Sequence, residues 1–139
     1  MTDLELMRHA EAARAYAYAP YSHFLVGAAL LGESGKLYTG CNIENAAYGP
    51  TNCAERTAVF KAVSEGERKF VAIAVIGGKE GEAGGFCAPC GICRQVLAEF
   101  CNADFPILLG DVTHCERYTL ASLLPASFGK QDLAGGDAP

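Results

Sequence analysis

The sequence predicts an α/β fold, a three-layer α/β/α sandwich on a mixed sheet of about five strands. Three observations lead there. Apolar runs of strand length alternate with segments of helical periodicity. Two of those runs, Phe24–Leu31 and Phe70–Ile76, are almost wholly apolar, as strands covered on both faces are. A chain of 139 residues with 50% hydrophobic content suits one core. A single domain is therefore expected over residues 1–130, followed by a polar, Gly-rich, flexible tail over 131–139.

The elements follow in order. Residues 3–17 place Leu4, Leu6, Met7, Ala10 and Ala13 near helical spacing, with Thr2 or Asp3 to cap the start and Pro20 to end it. Phe24–Leu31 reads as a buried strand. Ser34-Gly35 is a turn, and residues 36–43 return as the second arm of a hairpin. Residues 52–64 read as a helix capped by Asn52, with Val59, Phe60 and Val63 as its apolar stripe. Phe70–Ile76 is a strand stopped by Gly77-Gly78, and a Gly-rich loop covers 81–85. Residues 91–101 form a second short helix, and 105–109 another strand. A weakly signalled strand lies around Arg117, and Thr119–Leu124 is a short helix stopped by Pro125.

Composition excludes several functions. Asp and Glu outnumber Lys and Arg 16 to 11, for a formal charge of −5, and the basic residues are scattered. Binding to a phosphate backbone is not expected. No run is long and apolar enough for a bilayer, and the first residues are acidic where a signal peptide needs basic ones, so a cytoplasmic protein is expected. Seven cysteines are an odd number, and in a reducing compartment they read as thiols or metal ligands rather than a disulfide framework.

The chemistry is carried by Cys53-Ala54-Glu55-Arg56 and Pro89-Cys90-Gly91-Ile92-Cys93-Arg94-Gln95. Three thiolates, from Cys53, Cys90 and Cys93, are one short of a closed tetrahedral zinc site, and a three-ligand zinc keeps a fourth position for water. Cys90 and Cys93 are three apart and share a helix face. Both groups fall at predicted helix starts, where the helix dipole favours thiolate. Glu55 lies two residues from one ligand, placed to handle that water's protons. Arg56 is a candidate donor to the ligand sulfurs, whose combined charge exceeds that of the ion. Asn42 and Glu44 are two apart, so in a strand they share a face and can hold sugar hydroxyls.

Other readings compete. A ferredoxin-like run from Cys87 needs a cysteine and a proline where Leu97 and Ala98 stand, and fails. A thioredoxin-like pair leaves Cys53 without a role. A structural zinc site could take Cys87 as its fourth ligand, which would leave Glu55 and the Asn42–Glu44 pair unexplained. Asn52-x-x-Glu55 also fits a capping box. Arg56 alone would read as a surface charge, and Asn42 with Glu44 as an exposed polar face. Cys41, Cys101 and Cys115 read as buried small apolar residues.

Together the two cysteine motifs resemble those of the small homotetrameric cytidine deaminases. The resemblance extends to Tyr18-Ala19-Pro20-Tyr21-Ser22-x-Phe24, Val26-Gly27-Ala28-Ala29, residues 40–46 (Gly-Cys-Asn-Ile-Glu-Asn-Ala) and Leu123-Leu124-Pro125. Ile92 stands where the family usually has alanine, and Cys87 is an additional thiol. The resemblance implies one zinc per chain and hydrolytic deamination of cytidine and 2'-deoxycytidine in pyrimidine salvage. It implies that Glu55 moves the protons, that Asn42 and Glu44 bind ribose, and that Phe24 and the backbone at Ala54 contact the base. It further implies a homotetramer in which Tyr48 and Phe128 complete a neighbouring subunit's pocket.

Overall fold

The computed structural model describes residues 1–134 and forms the expected three layers around one five-stranded sheet. The strands are β1 (Phe24–Gly32), β2 (Leu37–Cys41), β3 (Phe70–Lys79), β4 (Pro106–Gly110) and β5 (Cys115–Thr119), in the order β2-β1-β3-β4-β5. The β3–β4 pair is parallel and every other pair antiparallel, so the sheet is mixed. Helix α1 (Asp3–Ala13) covers one face. Helices α2 (Ala54–Ser64) and α3 (Gly91–Phe100) cover the other. Two short helices, α4 (Leu120–Leu123) and α5 (Lys130–Leu133), close the described chain. The tail expected from Gln131 begins inside α5, and its remainder lies outside the described residues.

Side-chain alternation along β3 explains the two cores. Ala72, Ala74 and Ile76 face α1, where they meet Leu6, Met7 and Ala10. Ile73 and Val75 face α2 and α3, where they meet Val59, Leu97, Ile107 and Leu109. Each fully buried Leu, Ile or Val contributes roughly 1.5–3 kcal/mol. Helix α1 starts in a capping box, with Thr2 and Glu5 each satisfying the other's backbone N–H. It ends earlier than the spacing suggests. Residues Arg14–Tyr16 continue as a 3-10 turn, well before Pro20.

Four local expectations need correction. The cap of α2 is Cys53, because Asn52 is drawn into a β-bridge with Ile43. Phe60 is 49% exposed, and the buried face of α2 is instead Ala54, Glu55, Ala58, Val59 and Ala62. Small residues there let the helix lie close to the sheet. Strand β3 does not stop at Gly77-Gly78 but runs through both. A Cβ at Gly77 would stand 2.9 Å from the Cys87 sulfur and 2.9 Å from the Phe24 ring. These glycines mark a close approach, not a turn. Cys41, Cys101 and Cys115 are half-buried rather than buried, although burial pushes the Cys101 thiol up to about 12.

Gly40 sets the height of α2 over the sheet. A Cβ there would lie 2.4 Å from the Ala54 carbonyl oxygen and 2.6 Å from the Ala58 nitrogen, both helix backbone. Gly40→Ala should therefore destabilise the protein by about 1–3 kcal/mol through overpacking. Urea unfolding measures this. An unchanged midpoint would mean that α2 is free to move outward.

Candidate metal centre and active site

Helix α2 leads into β3, and β3 leads through a loop into α3. Both helices therefore begin at the C-terminal end of β3, the usual place for a site in an open α/β sheet. Cys53 is the N-cap of α2 and Cys90 the N-cap of α3, each in extended backbone and neither capping with its side chain. Their sulfurs are 3.7 Å apart, and Cys90 and Cys93 sulfurs are 3.4 Å apart. All three lie within 4.8 Å of one another.

This geometry fits zinc. Tetrahedral Zn–S bonds of ~2.3 Å separate sulfurs by about 3.8 Å, close to the spacing here. Cys87 stands outside the trio among the described residues. Burial pushes its thiol up to about 11, so it stays neutral. Within the trio, the neighbouring Cys53 and burial push the Cys93 thiol up. Cys93, with further help from Arg56 and Cys90, lowers Cys53 to about 5. Thiolate is thus favoured at Cys53, and a metal ion would displace the remaining protons. Arg56 Nη2 donates to Cys53 Sγ at 3.3 Å, the donor to sulfur expected from its position.

Glu55 sits in the first turn of α2 and is only 4% exposed. The capping-box alternative fails, since the helix cap is Cys53. Burial pushes the Glu55 carboxyl up to about 7, a value suited to taking and giving protons near neutrality.

A cavity of about 200 Å³ joins these groups to the expected sugar-binding pair. Glu55, Cys53, Cys90 and Ala54 line one side, and Asn42 and Glu44 another. Val26, Thr51, Asn52, Cys87 and Ala88 complete the wall. Asn42 is held in place: its Oδ1 accepts from Val26 N at 2.9 Å and its Nδ2 donates to Phe24 O at 2.8 Å. Glu44 accepts from the backbone of Tyr21 and Ser22 at 3.0 and 3.1 Å and from the Ser22 hydroxyl. These donors, the hydroxyl foremost, hold its carboxyl below the usual range. Both side chains keep hydrogen-bonding capacity toward the cavity.

Three expected residues are not brought into this cavity within one chain. Phe24 is 38% exposed and packs beside Gly77. Tyr48 is 82% exposed and lines a neighbouring cavity of about 400 Å³ that shares Glu44 and Thr51 with the first. Phe128 is 60% exposed, and its carbonyl accepts from Gln95 Nε2 at 2.9 Å. Sequence reasoning missed the wall residues Thr51 and Ala88. Neither carries a motif, and only the fold brings them to the cavity.

Comparison with known proteins agrees with this geometry. Residues 1–109 match the family model described as cytidine and deoxycytidylate deaminase zinc-binding region. The chain is 54% identical over 134 residues to the cytidine deaminase of Sporosarcina psychrophila, covering 94% of this chain and 93% of that protein. It is 50% identical to the cytidine deaminase of Halalkalibacterium halodurans over 92% of this chain and 95% of that one. The crystal structure of cytidine deaminase from Burkholderia pseudomallei superposes with a TM-score of 0.84 at 46% identity, covering 92% of this chain and all of that one. That of Mycobacterium tuberculosis gives 0.77 at 41%, covering 90% and 95%. With a zinc-sized gap between three thiols and a buried glutamate beside them, the chain belongs to the cytidine and deoxycytidylate deaminase zinc-binding family.

Proposed function

We propose that this protein is a zinc-dependent cytidine deaminase, acting on cytidine and 2'-deoxycytidine in pyrimidine salvage. One observation carries the reading. Cys53 and Cys90, a buried carboxyl and a polar pair suited to a sugar open on one cavity, and the buried Cys93 completes the thiol trio beside it. Zinc held by Cys53, Cys90 and Cys93 would supply the Lewis acidity that makes a water molecule nucleophilic near neutral pH.

The chain's own residues supply the rest. Asn42 and Glu44, fixed by their backbone partners, bind the ribose hydroxyls and set the depth of the base. Glu55 takes the proton of the attacking water and delivers it to ring N3, which breaks the aromaticity and opens C4 to attack. It then carries a second proton to the exocyclic amine, which departs as ammonia. The product is uridine or 2'-deoxyuridine. Arg56 offsets the surplus negative charge of three thiolates. The acidic chain, at −5, suits a free nucleoside rather than a polynucleotide.

The working form is a homotetramer with shared active sites. A cavity of about 200 Å³ is smaller than the roughly 300–1,000 Å³ typical of ligand pockets, which supports added walls from neighbouring subunits. Tyr48 and Phe128, aromatic and uncovered in one chain, supply them. A cytoplasmic location follows from a salvage role. Among the described residues no helix is long and apolar enough to cross a membrane.

Ammonia release from cytidine tests the reaction. Glu55→Gln should keep zinc, by elemental analysis, yet lose activity by at least about 10²–10⁴-fold, because an amide cannot relay protons. Near-normal turnover would show that Glu55 is a packing residue.

Shared sites predict complementation. Mixing Glu55→Gln protein with an impaired Phe128→Ala protein should, after subunit exchange, restore activity that neither has alone. Hybrids that form, by native mass spectrometry, but stay inactive would place Phe128 in its own subunit's site.

A further inference from the structure

The C-terminal end of α1 carries a side chain that the reaction does not use. Arg14 is only 5% exposed. A guanidinium has five N–H donors, and each of these meets an acceptor. Nε donates to Leu25 O at 2.7 Å. Nη1 donates to Glu11 Oε1 at 2.8 Å and to Glu82 O at 3.2 Å. Nη2 donates to Gly78 O at 2.9 Å and to Lys79 O at 3.4 Å. Glu11 Oε1 also accepts from Gly84 N at 3.4 Å.

Three glycines make room for this cluster. A Cβ at Gly27 would stand 3.0 Å from Arg14 Cγ, and one at Gly78 would stand 3.1 Å from Nη2. One at Gly84 would stand 2.3 Å from the Glu11 carboxylate. A side chain present only to fill space would be apolar, since a buried cation is costly unless every donor is met.

We propose that Arg14, oriented by Glu11, is a positioning residue for the candidate active site. It ties together the β1 and loop segments that carry wall residues and the end of β3 that packs behind them. Leu25 precedes Val26, a wall residue. Gly78 follows Gly77, against which the Phe24 ring and the Cys87 sulfur pack. Glu82 and Gly84 lie in the loop that runs on to Cys87, Ala88 and the ligand Cys90. That loop contains no helix or strand between β3 and α3. Its other backbone ties include the Gly77–Gly85 bridge, at 2.8 and 3.2 Å, Glu80 N to His23 O at 2.8 Å, Glu82 N to Lys79 O at 3.0 Å, and Pro89 O, which accepts from Arg94 Nε at 2.7 Å. Without the Arg14 fork, the segment bearing Cys87 and Cys90 loses its tie to Leu25 in β1, and its hydrogen bonding to α1 falls to the 3.4 Å Gly84 N–Glu11 contact. Arg14 touches neither substrate nor metal, so its influence runs through loop position.

The inference rests on the deaminase reading, and the test separates the two. In zinc-loaded full-length protein, compare the parent with Arg14→Lys, whose single ammonium cannot span three segments. Measure amide hydrogen exchange of residues 80–90, zinc release to a chelator, and KM and kcat with cytidine. Exchange in 80–90 should quicken and zinc release should rise on the order of 10-fold, the lower end of what lost supporting contacts cost a metal site. KM should rise more than kcat per zinc-loaded site falls. Lys36→Met is the control. It removes the surface Lys36–Glu65 ion pair and should lower stability without moving the other readouts. Should Arg14→Lys not fold, Glu11→Gln weakens the same fork while keeping the guanidinium, and should move the readouts the same way by less. Loop exchange, zinc release and KM that match the parent's, or shift no more than in Lys36→Met, would overturn the proposal. Zinc binding without cytidine turnover in the parent would overturn the deaminase reading and leave the positioning role to the first two readouts.

Discussion

Two helices in this protein begin at nearly the same point, and the rest of the site depends on that convergence. Cys53 and Cys90 are helix caps whose sulfurs lie 3.7 Å apart although 37 residues separate them in sequence. The sheet order enforces it. A helix running into β3 and another running out of it must both start at that strand's C-terminal end. Two sets of helix-terminal N–H groups then point toward one place, and anionic sulfur is favoured there. Cys93, about one turn into α3, turns the pair into a trio with the span of zinc.

Glu55 gains its character from the same convergence. Because Cys53 caps α2, the residue two positions later enters the first turn on the buried face, between helix and sheet. There it loses water, and burial raises its pKa toward neutrality. Gly40 and the alanines of α2 keep the helix close enough for that burial to hold. The Cys53 cap, the buried carboxyl and the core packing are thus properties of one helix seated at one height.

Much of this was legible in the sequence. Apolar runs and a turn signal located four strands and a weak signal the fifth, helical patterns located the three long helices, and the cysteine motifs pointed to the three thiols that the fold gathers. The misreadings share a cause: local signals describe one segment, whereas burial depends on what that segment meets. Phe60 looked like core but faces outward, because the alanines of α2 take the close contacts. Asn52 is a good cap residue, yet its backbone pairs with Ile43, and a cysteine caps the helix instead. Gly77-Gly78 looked like a stop but sits inside β3, where the 80–88 loop crowds the strand. Arg14 had a faint signal, since it continues the Met7–Ala10 stripe of α1 at helical spacing. Nothing local announced that its acceptors lie near residues 25, 78 and 82. Tyr48 and Phe128 came from family resemblance alone, because their proposed partners lie in other subunits.

The central claim is that three sulfurs, and not four, hold the metal beside Glu55. X-ray absorption at the zinc K edge of the purified protein tests it most directly. The account predicts three sulfur neighbours at ~2.3 Å and one oxygen or nitrogen neighbour near 2.0 Å, a spectrum that Cys87→Ser leaves unchanged. Four sulfur neighbours, falling to three in Cys87→Ser, would contradict it and make the centre a closed structural site.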